Sequence, residues 1–157
     1  MTYSSSVPAA VAALVAAFRG STALGLAAVP VPVRDGPALT DAAGLEAVAV
    51  GYSGDQNTDA AAGASAPEGL SGGQDRERYT VTCAAEVLDP GADITAARTR
   101  VYQLHAACGA AIAADRTLGR AVLRAVPGPW TLRQQQTPNG ALARIVFGVT
   151  VDAYTTR

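Results

Sequence analysis

Apolar positions at helical spacing open the chain. Within residues 4–19, Val7, Val11, Leu14, Val15 and Phe18 recur three and four apart. Ser4, Ser5 and Ser6 offer capping oxygens, Pro8 suits a first turn, and Gly20 ends the run. This predicts an amphipathic first helix. Residues 29–34 (VPVPVR) read as an extended run broken by prolines, which lack the ladder N–H and so suit an edge. Asp35-Gly36-Pro37 is a turn signal, and residues 45–50 (LEAVAV) are short and apolar enough for a strand. From Tyr79 the pattern switches to period two: Tyr79, Val81, Cys83, Ala85 and Val87 alternate with Thr80, Thr82, Ala84 and Glu86. Asp89-Pro90-Gly91 turns the chain, and Asp93 stands where a helix cap belongs. The spacing then predicts a long helix over 94–114, with Ile94, Ala97, Val101, Leu104, Cys108, Ala111 and Ile112 as its apolar stripe. Three extended segments close the chain, at 119–126, 130–136 and 142–154, with Pro138-Asn139-Gly140 as the turn before the last.

Residues 51–78 differ in kind. They are rich in Gly, Ala, Ser, Asp and Gln and hold almost no bulky apolar side chain. Alone they cannot bury enough surface to offset the entropy of ordering. We therefore expect 52–78 to be one long flexible polar loop between two strands. The predicted order is α-β-β-loop-β-α-β-β-β. Neighbouring strands with short turns and two helices to cover one face indicate an α+β fold: a mainly antiparallel sheet packed against two helices, the whole chain 1–157 forming a single domain.

Composition narrows the chemistry. All 12 cations are Arg, against 13 acids, giving a formal net charge of −1. Without lysine there is no phosphate-loop lysine and no Schiff base. A near-neutral chain without a basic cluster has no field with which to grip nucleic-acid phosphates. Of the 157 residues, 35 are alanine and only 8 are aromatic, so bulky core material is limited. No apolar run reaches membrane-spanning length, and no cationic segment precedes the first apolar stretch; both favour an intracellular soluble protein.

The motifs that look catalytic do not assemble. Residues 70–74 spell LSGGQ, the signature of ABC-type ATPases, but that signature acts beside a lysine-bearing phosphate loop, which this chain lacks. His105 and Cys108 stand three apart on the long helix, yet a zinc site wants three or four ligands. Cys83 and Cys108 both fall on apolar faces and read as core thiols. The single histidine is mid-helix, no G-x-S-x-G elbow occurs, and Asp35, Asp41, Asp55, Asp59 and Asp75 are scattered through predicted loops. Tyr52, Tyr79, Trp130 and Tyr154 suit ordinary packing as well as they suit a stacking platform.

The order of pieces resembles the tail terminator (tail completion) proteins of long-tailed bacteriophages. The pieces are the N-terminal amphipathic helix, VPVRDGP at 31–37, LEAVAVG at 45–51, a variable polar loop and RERYTVTCAAEV at 76–87. They continue with the helix opened by Asp93, DRTLGR at 115–120 and GALARIVFGVTVDAY at 140–154. Arg120 departs from the family element, which often has a second glycine there. The resemblance implies a virion structural protein without enzymatic activity, cofactor or metal. It further implies a ring, a hexamer of identical subunits, that caps the tail tube, binds the tail tube protein on one side and joins a head–tail connector or stopper protein on the other. DNA would pass through its lumen without specific binding. The protein would reside in the tail or neck of the virion, and in the host cytoplasm during assembly. The subunit and tube contacts expected from this are Arg34, Asp35, Tyr52, Asp55, Gln74, Arg76 and Arg78. The loop is expected to order against a neighbour, so that deleting 55–75 leaves a folded monomer that no longer docks on tubes.

Two other readings stay open at this point. One is a different head–tail connector, completion or tube protein of the same particle. The other is a small cytoplasmic enzyme or ligand-binding domain, which two convergent carboxylates, or Asp35 beside His105, would favour.

Overall fold

A computed structural model describes residues 4–37, 45–68 and 74–155. Helix α1 (Val7–Arg19) and helix α2 (Ile94–Ala114) lie against a six-stranded sheet of β1 (Val33–Asp35), β2 (Glu46–Val50), β3 (Ala61–Pro67), β4 (Asp75–Asp89), β5 (Arg124–Thr137) and β6 (Gly140–Tyr154). The fold is α+β with a mostly antiparallel sheet, as the pattern predicts. The strand order is β1-β2-β4-β6-β5. Only β1–β2 is parallel; every other pair is antiparallel. β2 pairs with residues 83–87 of β4 and β3 with residues 75–81, so the two share one side of β4 end to end while β6 takes the other side. Among the described residues no helix is long and apolar enough to cross a membrane.

The core lies between the helices and one face of the sheet. The alternating residues Tyr79, Val81, Cys83, Ala85 and Val87 of β4 are buried there, facing Ala143, Ile145, Phe147, Val149 and Val151 of β6. Helix α2 buries Ala97, Val101, Leu104, Cys108 and Ile112 onto them, and α1 adds Ala10, Leu14, Val15 and Phe18. Asp93 caps α2, its Oδ1 accepting from the Ala96 N–H at 3.1 Å. Replacing Asp93 by Ala leaves that N–H without its side-chain acceptor and is expected to lower stability by about 1 kcal/mol, read as a shift in urea midpoint at constant m-value. Arg100 ties α2 to the sheet through a two-pronged pair with Glu46 on β2, at 2.7 and 3.0 Å.

Three expectations are corrected. The stretch 52–78 is not one loop: it contains the whole of β3 and the first residues of β4, with 69–73 outside the described residues. β3 is built of Ala, Gly, Ser and Pro and buries neither face, so it carries no alternation for a periodicity argument to find. Glycine is required at position 63, because a Cβ there would stand 2.3 Å from the Arg78 carbonyl oxygen of β4. Deleting 55–75 would therefore strip a strand instead of trimming a loop. Of the LSGGQ pentamer, residues 70–73 lie outside the described residues, as does Asp41. Second, 119–126 is not an extended segment. Asp115 accepts from the N–H groups of Thr117 and Gly119 and from the Thr117 hydroxyl, winding a tight turn in which Leu118 and Arg120 take positive φ; β5 begins only at Arg124. Third, the extended part of the first segment, 124–126, and 130–136 do not give separate strands. β5 runs through both, with a bulge between Pro127 and Trp130 where Pro127 and Pro129 can donate no ladder bond.

Candidate assembly surface

The helices cover one face of the sheet; among the described residues the other is open apart from the 51–60 segment, whose Gly54 sits against the Arg144 guanidinium. Register defines what lines this outer face. Arg76, Arg78, Thr80, Thr82, Ala84 and Glu86 of β4 stand opposite Tyr154, Asp152, Thr150, Gly148, Val146 and Arg144 of β6. The middle is small and neutral, and charge is gathered at the two ends.

One end is a network around Asp152. Arg76 grips the Asp152 carboxylate with two parallel bonds, Nε–Oδ1 at 2.7 Å and Nη2–Oδ2 at 2.6 Å, and its Nη1 reaches Glu68 Oε1 at 3.2 Å. Such forked pairs fix geometry as well as charge. The hydrogen bonds from Arg76 hold the Asp152 carboxyl below its usual range. The Tyr154 hydroxyl, ahead of Arg76, does the same for Glu68, and Glu68 in turn raises the Tyr154 phenol. Arg78 is 69% exposed and only 3.8 Å from Asp152, a loose contact that leaves most of its guanidinium open to a partner. Ala64, Ala66, Pro67, Glu68, Arg76 and Arg78 line a cleft of about 300 Å³ beside this network. At the opposite end Arg144 pairs with Glu86, Nε–Oε2 at 2.7 Å, and its Nη2 also bonds Glu86.

The seven residues singled out from the sequence fall into three groups. Arg76 and Arg78 meet in the Asp152 network, and the exposed Gln74 precedes them where β4 begins. Arg34, on β1, stands opposite Ala49, whose β4 partner is Ala84. Six or more residues along β4 separate that row from Arg78, about 20 Å at the rise of a strand. Asp35 is exposed at the end of β1. Tyr52 is half-buried just past β2, and Asp55 is exposed, its Oδ1 accepting from the Asn57 N–H at 2.9 Å in a local turn. The structure brings Arg76 and Arg78 together and leaves the β1 pair and the 52–55 pair elsewhere.

Two constellations were not anticipated from sequence. Glu77 is 5% exposed on the helix-side face, where its Oε2 accepts from the Ser6 N–H at 2.7 Å and the Ser6 hydroxyl at 2.6 Å. Ser65 on β3 donates to Oε1 at 3.4 Å, and Tyr79 lies 3.0 Å from Ser6 Oγ. Burial pushes the Glu77 carboxyl up, but the bonds from Ser6, Ser5 and Ser65 outweigh it and the net direction is down. This cluster fastens the start of α1 to β3 and β4. The second constellation is aromatic. Trp130, half-exposed at the β5 bulge, meets Tyr102 edge to face with ring centroids 5.4 Å apart, and His105 packs against both Trp130 (6.1 Å) and Phe147 (4.9 Å).

These placements bear on the chemical alternatives. His105 sits in the aromatic cluster on α2, where burial pushes its pKa down, whereas Asp35 is on the strand at the far end of the sheet order. Cys83 and Cys108 are free, fully buried thiols; burial raises Cys83 to about 12 and raises Cys108 as well. Among the described residues no three His, Cys, Asp or Glu side chains are grouped to hold a metal. A concavity of about 660 Å³ between the C-terminal halves of α1 and α2 is walled chiefly by Ala and Gly and presents one carboxylate, Asp115, already spent on the turn that follows. No protein-family model matches the chain, and no curated protein matches it either.

Proposed function

We propose that this protein is a structural assembly protein of the tail-terminator kind: a ring of six identical subunits that caps a finished tail tube, halts its growth and presents its other side to a head-side connector. The observation that carries this reading is the one-sided covering of the sheet. A long sheet with helices on one face leaves the other face, with charge at its two ends, for contact with other subunits. The open guanidinium of Arg78 and the cleft beside it are suited to polar, orientation-fixing contacts of an interface rim. Identical subunits joined head to tail close into a ring when the rotation between them permits. In this reading the protein performs no reaction; its action is geometric, and DNA passes through the lumen without being held.

The test is mass. Purified protein, measured across concentration and again with isolated tail tubes, is expected to give a species near six times 15.8 kDa, alone or on the tubes. A protein that stays at one or two copies and fails to bind the tubes overturns the reading.

A further inference from the structure

The three lateral edges of the sheet are not alike. β1 offers three residues, and its Val33 carbonyl oxygen is already taken by the Arg19 guanidinium at 3.0 Å. β3 is held through Ser65 in the Glu77 cluster. β5 is 14 residues long and pairs with β6 alone; on its outer side the Ala125 N–H donates to the Arg116 carbonyl oxygen at 2.7 Å, and past the bulge no backbone partner is found among the described residues. Past the bulge, residues 130–137 (WTLRQQQT) contain no proline and a single charge, Arg133. Natural edges are usually blunted by lysines, prolines or brevity, and this stretch uses none of them. From it we infer that 130–137 is a strand-addition edge whose partner is the same strand of a second copy, paired antiparallel about a two-fold axis.

Self-complementarity selects that occupant. A two-fold contact places each residue near the axis against itself, so a charge there would face its like, whereas an amide, both donor and acceptor, can bond its own copy. The only run of such side chains on an edge strand is Gln134-Gln135-Gln136. With Gln134 on the axis, Arg133 falls opposite Gln135 and Leu132 opposite Gln136, so no like charges of the paired strands are opposed; Gln134 Oε1 already accepts from Arg98 at 3.0 Å, which leaves its Nε2 to donate across the axis. Among the described residues, two copies supply no other bare edge of this length. The open side of Trp130, which is 50% exposed on its Tyr102 platform, lies at the end of the paired stretch and is covered by the second copy. Aromatic anchors of this kind are what interfaces favour. The contact is independent of ring closure: applied to free copies it gives dimers, and applied to rings it joins them in pairs.

A single cysteine on a two-fold axis can cross-link only to its own copy, and directly opposed strand residues lie within disulfide reach. Both native thiols are buried, so background is low. Under mild oxidation Gln134→Cys is expected to give a reductant-sensitive species at twice the chain mass, while Gln135→Cys, which falls opposite Arg133, and the exposed Asn57→Cys do not. In the unmodified protein the emission of Trp130, the single tryptophan, is expected to shift to the blue as concentration rises. Cross-linking of Gln134→Cys no greater than of Asn57→Cys, or an emission maximum that stays fixed while mass rises, overturns the inference. A six-copy species with neither signal removes this contact and leaves the ring; cross-linked dimers that never exceed two copies and ignore tail tubes retain this contact and remove the ring.

Discussion

Replacing Glu77 by Ala is expected to destabilise the protein by about 3 kcal/mol, since each buried donor left without its acceptor costs about 1–3 kcal/mol. The Ser6 N–H and Ser6 hydroxyl both point at one carboxylate oxygen, and truncation orphans the two together. Because Ser6 spends its only proton on Glu77, the Tyr79 hydroxyl donates to Ser6 Oγ, so the loss extends one bond further into the core. The damage should be local at first: α1 loses the anchor at its N-cap and β3 loses Ser65, so hydrogen exchange is expected to quicken at residues 7–10 and 61–67 before the rest of the sheet. The pH dependence has a fixed sign. The folded Glu77 carboxyl titrates below an ordinary glutamate, ~4.3, so its stabilisation is fully present above that value and is lost as pH falls through the lower folded value. Glu77→Gln, which cannot ionise, should therefore be less stable than the natural protein at pH 7, with the gap shrinking in acid. Urea midpoints at pH 7 and pH 3 check both statements. A Glu77→Ala midpoint unchanged at pH 7 would show that water replaces the carboxylate without loss.

That cluster also shows where legibility ends. The alternation of Tyr79 to Val87 is plain in the sequence, and carrying its parity back one step makes Glu77 inward-facing. What the pattern cannot supply is the partner, because Ser6 is 71 residues away and reads locally as one of three possible caps. Helix α2 was legible in full, bounds included, because its signals are local: Asp93 at the cap and a stripe with its own period. β3 was illegible for the opposite reason. Its residues are strand only because β4 offers them a ladder, and with neither face buried nothing in the composition records it. The bulged strand split at Pro127 and Pro129 because proline reads as a strand end, whereas the pairing with β6 simply resumes beyond it. The same distinction governs the assembly surface. Arg76 and Arg78 were picked out, but the residue that organises them, Asp152, sits on β6 and becomes their neighbour only through strand pairing.

Gly140→Ala is expected to cost about 4 kcal/mol, combining backbone strain of about 1–3 kcal/mol with overpacking of similar size. The sequence marks Pro138-Asn139-Gly140 as a turn, and the structure shows why its last residue is glycine. Gly140 adopts φ +135°, outside the range that side-chain-bearing residues populate. A Cβ on it would also stand 2.0 Å from the Asp89 carbonyl oxygen and 2.9 Å from the Pro90 Cα. Those atoms cannot swing aside. Asp89 ends β4 and pairs with Ala141, while its side chain bonds the Gly91 N–H in the turn that leads to α2. Making room thus requires the β5–β6 hairpin and the β4–α2 turn to separate. Since Gly140 also pairs with Thr137 at the end of β5, the separation should slacken the glutamine stretch of the edge strand as well. Asn139→Ala, in the same turn but exposed, is the matched control and should shift the midpoint by less than about 0.5 kcal/mol. Equal midpoints for the two variants would mean that the turn yields as a unit and that the close approach of Gly140 to Asp89 is not a constraint on the fold.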